Sequence, residues 1–231
     1  MKRVAMTGVD FTVFLVGHES KLVQALSAVL SRVGYKAKIY PSPENFLSEH
    51  DPSIPGCAVL DLSMHGLRGL SVQRALVSEE IERPVVFLTD HLTVPVTVQA
   101  MRAGAIDVLL KPVEPSQLLQ AIRRAQKLDE TNRRAQVELQ AIDTLVQKLS
   151  PREREVLTHV IAGLRNKEIA EILGVRVKTI KVHRGRVMKK MEVASVAELV
   201  RITTKVSVQP GQIVGQPSQE TMNGHSHGLA S

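Results

Sequence analysis

Cysteine is nearly absent: Cys57 is the only one in 231 residues. A lone thiol makes neither a disulfide nor a thiolate zinc site, and it fits a reducing cytoplasm. At the start of an apolar run, Cys57 reads as a small buried hydrophobe. No stretch of about 18 apolar residues occurs, which excludes a membrane-spanning helix. The first residues, MKRVAMTGVD, hold two basic side chains with no apolar segment behind them, so no secretory signal is expected. P-loop, dinucleotide-binding and Ser/His/Asp patterns are missing as well. Aromatics amount to 3%, and all six (Phe11, Phe14, Tyr35, Tyr40, Phe46, Phe87) precede residue 88. Acidic side chains are missing from Arg176 to Lys190, a stretch that holds seven basic ones.

What is present is 43% hydrophobic, enough for real cores. At about 150 residues per domain, the length suits one large domain or two modest ones. Charge favours two. Residues 1–122 carry 11 basic and 12 acidic side chains, whereas residues 150–204 carry 12 and 6. A near-neutral front and a basic, aromatic-free back imply different partners, and the back suits a polyanion.

The front alternates strand and helix. Apolar runs at Thr12–Val16, Ala37–Tyr40, Cys57–Leu60, Val85–Leu88 and Ile106–Leu110 flank helical stretches with three-and-four apolar spacing. Leu22, Ala25, Leu26, Val29 and Leu30 make one such face, and Val94, Val98 and Met101 make another. Several runs lack alternation, as strands covered on both faces do. Five such units predict a doubly wound parallel sheet with its functional crevice at the carboxyl ends of the strands. Gly17, His18, Asp61, Thr89 and Lys111 stand at those ends.

From Pro115 to Ser150 the pattern becomes one long helix, or two with a break. Ala135, Leu139, Ile142, Val146 and Leu149 make a two-heptad seam, suited either to a solvated spacer or to pairing with a second copy. Residues 150–204 read as four short helices. Ser150, Pro151 and Glu153 supply an N-cap, a first-turn proline and a capping-box acid. Asn166 opens Lys167–Leu173, which Gly174 ends; a third helix spans Val177–Met191, and Ser195 caps the last. Beyond Lys205 the composition is that of a disordered tail, in which His225 and His227 are expected to be inert.

The helix–glycine turn–helix at 167–191 is the layout that places its second helix in a major groove. At 100° per residue, Ile180, His183, Val187 and Met191 share an inward face, with His183 read as a satisfied core histidine. Lys178, Val182, Gly185 and Lys189 lie opposite, flanked by Lys181 and Arg186. Cations for phosphates, a small apolar side chain for a thymine methyl and a glycine for close approach suit double-stranded DNA.

The stretch SPREREVLTHVIAGLRNKEIAEILGVRVKTIKVHRGRVMKKMEVASVAELVRI, residues 150–202, resembles a LuxR-type helix-turn-helix of the FixJ/NarL response regulators. The front half is similar to that family's receiver. The resemblance implies a five-stranded flavodoxin-like receiver at 12–126, a helical linker at 127–148, a DNA-binding domain at 149–204 and a tail at 205–231. It also implies DNA contacts from Lys178, Thr179, Lys181, Val182, Arg186 and Lys189, with Asn166 and Lys167 nearer the phosphates. A transcription regulator of this kind works in the cytoplasm as a homodimer, with a histidine kinase and RNA polymerase as partners, and is not an enzyme.

In such receivers a phosphoryl group passes to an aspartate after the third strand, aided by a divalent cation, a hydroxyl and a lysine. VLDLSMHG places Asp61 as phosphoacceptor, VVFLT places Thr89 as switch hydroxyl, and LLKP places Lys111 as the lysine. The metal half departs from the pattern. Gly17 and His18 stand where the family has two acids, and Glu19 is a doubtful substitute. Mg²⁺ wants oxygen ligands, so no metal or other cofactor is expected. His65 replaces a usual proline, and Val108 the aromatic that swings with the threonine. In the ordinary mechanism phosphorylation remodels the face of the fourth helix and fifth strand. Here Asp61 is expected to pair with Lys111, with His18 a further candidate partner, so that metal-dependent phosphorylation is slow or lost. The alternative is a conventional regulator activated through Asp61. An interaction protein with a vestigial basic helix, and an enzyme on the parallel sheet, rank below both.

Overall fold

The computed structural model describes residues 10–17, 20–62, 72–76, 82–91 and 93–205. His18, Glu19, His65, His225 and His227 lie outside them. The chain divides between Gln136 and Val137 into two compact units.

In the first unit, β1 (Thr12–Val16), β2 (Lys36–Tyr40), β3 (Gly56–Asp61), β4 (Val85–Thr89) and β5 (Asp107–Leu110) form one sheet in the order β2-β1-β3-β4-β5. Every pairing is parallel. The strands β1, β3 and β4 are buried at every position, which is why their sequences are apolar without alternation. Side chains still alternate between two cores. Val13, Leu15, Val59, Val86 and Leu88 face α1 (Ser20–Arg32) and the first half of α5 (Pro115–Gln147). Phe14, Val16, Leu60 and Phe87 face the other side, with α2 (Pro43–Glu49), α3 (72–76) and α4 (Val94–Arg102). The sheet is thus doubly wound, as the sequence predicts.

Cys57 is fully buried, and desolvation pushes its thiol up to about 12, so it packs as a hydrophobe. Gly56 before it has a steric reason: a Cβ there would lie 2.2 Å from the Thr12 carbonyl oxygen and 2.7 Å from the Phe14 ring.

One helical face departs from its sequence reading. Val94, Val98 and Met101 turn outward, with Val94 78% exposed, while Val96 and Ala100 pack on the sheet. Spacing found the stripe, but packing chose a neighbouring one.

The helix α5 runs unbroken for 33 residues. It stays bound to the first unit beyond residue 126, where the sequence reading begins a linker. Arg133 donates to the carbonyls of Pro52, Ser53 and Ile54 at 2.8–2.9 Å and to the buried Asp129 carboxylate at 2.8 Å. Arg83 reaches the same loop at the Asp51 and Ile54 carbonyls and lies over the Phe14 ring. Burial pulls its guanidinium down to about 10, opposed by Asp129, so it remains a cation at neutral pH.

The second unit holds α6 (Pro151–Ile161), α7 (Asn166–Ile172), α8 (Val177–Lys190) and α9 (Val196–Thr203) around Val156, Leu157, Val160, Ile169, Ile180, Val187, Met191 and Leu199. The capping box forms as predicted: Glu153 N donates to Ser150 Oγ at 3.3 Å, and Ser150 N donates to Glu153 Oε2 at 2.8 Å. Gly174 follows α7 at φ +64, the left-handed region that glycine enters without strain. At the other end of α7, Arg165 rather than Asn166 is the cap, and Asn166 is already helical. The heptad seam is largely spent within the chain. Ile142 and Leu149 are buried, and Val146 packs against the second unit's own core. Its N-terminal members, Ala135 and Leu139, remain exposed.

Candidate functional site

The strand order reverses between β1 and β3, and a crevice opens outside the carboxyl ends of strands at such a point. Gly17 follows β1 there, and a Cβ on it would sit 3.7 Å from Asp61 Cβ. Asp61 ends β3, Thr89 ends β4, and Lys111 follows β5. The sheet therefore gathers all four sequence-predicted pocket residues that are described.

Lys111 Nζ donates to Asp61 Oδ2 at 2.7 Å, with only 8% and 4% of the two side chains exposed. Little water screens such a pair, so it is far stronger than a surface contact. A second carboxylate, which the sequence reading missed, shares the lysine: Asp90 Oδ2 lies 3.5 Å from Nζ. Its position after Thr89 was visible, but its approach to Lys111 depends on β4 and β5 lying side by side. Thr89 is turned to its own loop, donating to His91 O at 3.0 Å and accepting from His91 N at 3.3 Å. Val108 is partly buried against the second core cluster, in the place of a larger ring.

Receivers use Mg²⁺ held by carboxylates, so the donor set bears on whether it fits here. Among the described residues no group of three or more His, Cys, Asp or Glu is placed to hold a metal ion. Gly17 has no donor side chain, and the ammonium of Lys111 sits between Asp61 and Asp90. Among the described side chains, the carboxylates in the crevice are Asp61 and Asp90, both on the Lys111 ammonium.

In the second unit, α8 buries Ile180, Val187 and Met191, as its periodicity predicts. His183 differs. It is only partly buried, and its Nδ1 is enclosed with no hydrogen-bond partner, so it is not a satisfied core histidine. Lys178, Thr179, Lys181, Val182, Gly185, Arg186 and Lys189 are all exposed. Among the seven basic residues of 176–190, two are drawn away. Arg184 donates to Asn166 Oδ1 at 3.0 Å, and Lys190 to Glu153 Oε2 at 2.6 Å and Lys148 O at 3.0 Å. Arg176, Lys178, Lys181, Arg186 and Lys189 remain at the surface. Asn166 thus holds a side chain of α8, while Lys167 beside it is exposed.

A parallel receiver sheet followed by a basic helix-turn-helix defines a two-component response regulator that binds DNA to regulate transcription, and the chain belongs to that family. Residues 13–123 match the family described as "Response regulator receiver domain", and residues 147–203 match "Bacterial regulatory proteins, luxR family". The chain is 37% identical over 201 residues to the transcriptional regulatory protein FixJ of Rhizobium meliloti (strain 1021), covering 84% of this chain and 95% of FixJ. It is 35% identical over 204 residues to the response regulator protein TmoT of Ectopseudomonas mendocina, covering 88% and 93%. Among solved structures, the response regulator StyR shares 37% identity at a TM-score of 0.73, covering 85% of this chain and 99% of StyR. Among the described residues, no helix is long and apolar enough to cross a membrane.

Proposed function

We propose that this regulator binds repeated half-sites on double-stranded DNA as a pair of chains, with a receiver that Lys111 neutralises at Asp61 and that takes up phosphate from Mg²⁺-dependent donors slowly or not at all. The observation that carries this is the buried 2.7 Å ion pair, with Asp90 on the same lysine. In an ordinary receiver three acids outnumber the one lysine and repel until a metal cation arrives; here Gly17 and His18 stand in place of two of them, so Lys111 suffices for Asp61. The pairing of chains is then set by something other than phosphate. The outward stripe of Val94, Val98 and Met101 is apolar surface suited to it. Two recognition helices add their base contacts, which one short helix cannot match. The chain works in the cytoplasm without a bound cofactor, acts on RNA polymerase from its DNA site, and is a regulator rather than an enzyme.

Incubation with Mg²⁺ and a small phosphodonor tests the receiver. Labelling is expected to be slow or absent, and stoichiometric labelling that Asp61→Ala abolishes would overturn the reading. The convergence of Asp61, Thr89 and Lys111 in one crevice favours a second reading, a conventional receiver answering to a histidine kinase, and the same labelling result would establish it. A footprint of wild type with and without Mg²⁺ and donor separates the readings at the operator: equal protection is expected of the neutralised receiver, and protection that rises with donor and is lost in Asp61→Ala of the conventional one.

A further inference from the structure

The exposed face of α8 offers hydrogen-bond donors and apolar groups, and it is short of acceptors. Within Val177–Lys190 there is no Asp, Glu, Asn or Gln. Two acceptors on other elements are already used by the helix itself. The Asn166 amide oxygen takes Arg184, and the Glu153 carboxylate takes Lys190 and the Ser150 amide. Thr179, whose hydroxyl both donates and accepts, is the one exception on the exposed face.

In the major groove guanine presents two acceptors, N7 and O6, and thymine presents O4 and a methyl group. Adenine presents a single acceptor, N7, beside an amino donor, and cytosine presents an amino donor; proteins read these amino groups with Asn or Gln and with Asp or Glu. We propose that α8 reads its operator through the keto bases alone, the guanine and thymine edges, and leaves the amino edges of adenine and cytosine unread. Lys178, Lys181 and Arg186 supply donors for guanine. Val182, 46% exposed on an otherwise polar face, meets a thymine methyl. Gly185, one turn along, has no atom within 4 Å of where a Cβ would lie, which lets the duplex approach there. This deepens the DNA-binding reading and rests on it.

The test uses the full chain and a duplex selected from a random pool at roughly 0.15 M salt. Bases in the selected half-site are then exchanged one at a time. Guanine becomes 7-deazaguanine, which lacks the N7 acceptor; thymine becomes uracil, which lacks the methyl; adenine becomes purine, which keeps N7 and lacks the 6-amino donor. Affinity is expected to fall about 5-fold or more at a guanine read by two bonds, and several-fold at a thymine facing Val182. It should hold steady at every adenine. Val182→Ala, at an exposed position, should bind the uracil and thymine duplexes equally. Losses at purine as large as those at 7-deazaguanine overturn the keto-edge proposal while leaving DNA binding standing. Absence of salt-dependent duplex binding overturns the DNA-binding reading, and this proposal with it.

Discussion

Lys111 and Asp61 meet at 2.7 Å from the ends of two strands that are not neighbours, since β4 lies between β3 and β5. The lysine therefore reaches across a strand to a buried carboxylate. Removing one partner of a buried pair costs about 3–5 kcal/mol where the other charge is left with no other partner, and less where a neighbour such as Asp90 remains on the lysine. Lys111→Ala is expected to lose stability toward the lower end, because the crevice opens at the strand ends. Asp61→Ala/Lys111→Ala together should recover part of the loss. Urea unfolding of the four proteins checks this, and additive losses would show that the pair is not coupled.

Arg133 makes a comparable prediction on the other side of the sheet. Its planar fork serves three carbonyls and the buried Asp129 at once, a geometry that lysine cannot copy. Hydrogen bonds to charged groups contribute about 1.5–3 kcal/mol each, less where water replaces the lost donor. Arg133→Ala should cost about 2–4 kcal/mol, and Arg133→Lys most of that. A denaturation midpoint unmoved by either variant would mean that α5 needs no clasp there.

Acid should act on the second unit through Glu153. Its carboxyl is held down to about 2, first by the Lys190 ammonium that donates to it and then by the Ser150 amide. An unfolded glutamate titrates near about 4.3, so the folded unit binds this proton less readily. The contribution is then complete above that range and fades as pH falls from about 5 toward 2. Glu153→Gln keeps an oxygen for the capping box and loses the charge. It should be less stable at neutral pH, with a flatter decline in acid, as read by thermal unfolding across pH 2 to 7.

Salt dependence reports the phosphate contacts of α8. Each cation that neutralises a phosphate adds about 0.9 to the slope of log affinity against log salt. Lys178→Ala with Lys181→Ala should therefore flatten the slope by as much as about 1.8 if both serve phosphates, and by less where one reads a base. Arg184→Ala should change the slope little, because Arg184 is held by Asn166. Equal slopes and equal affinities for wild type and the double variant, measured by titration of one duplex over a range of salt, would remove α8 from the interface.

Self-association tests the outward stripe of α4. Val98→Asp places a charge on exposed apolar surface, so it should leave the fold intact and shift a dimer toward monomer. Sedimentation at matched concentrations reads the shift, and an unchanged dimer would move the pairing surface elsewhere.

Much of this was legible in the chain because its physics is local. Unalternating apolar runs announce strands covered on both faces, as in Val85–Thr89, and Ser150, Pro151 and Glu153 start a helix through bonds three residues long. A repeat of 3.6 residues likewise divides α8 into an apolar side and a basic one. What the tertiary structure alone decided are contacts between residues far apart in sequence. Asp90 shares Lys111, Arg133 holds the loop at 52–54, and Asn166 and Glu153 take two cations from the basic helix. The same holds for α4, where periodicity finds the stripe of Val94, Val98 and Met101 but only the neighbouring sheet selects Val96 and Ala100 for burial. Period and capping depend on a residue's chain neighbours, whereas the partner of a buried charge depends on which distant strand or helix the fold sets beside it.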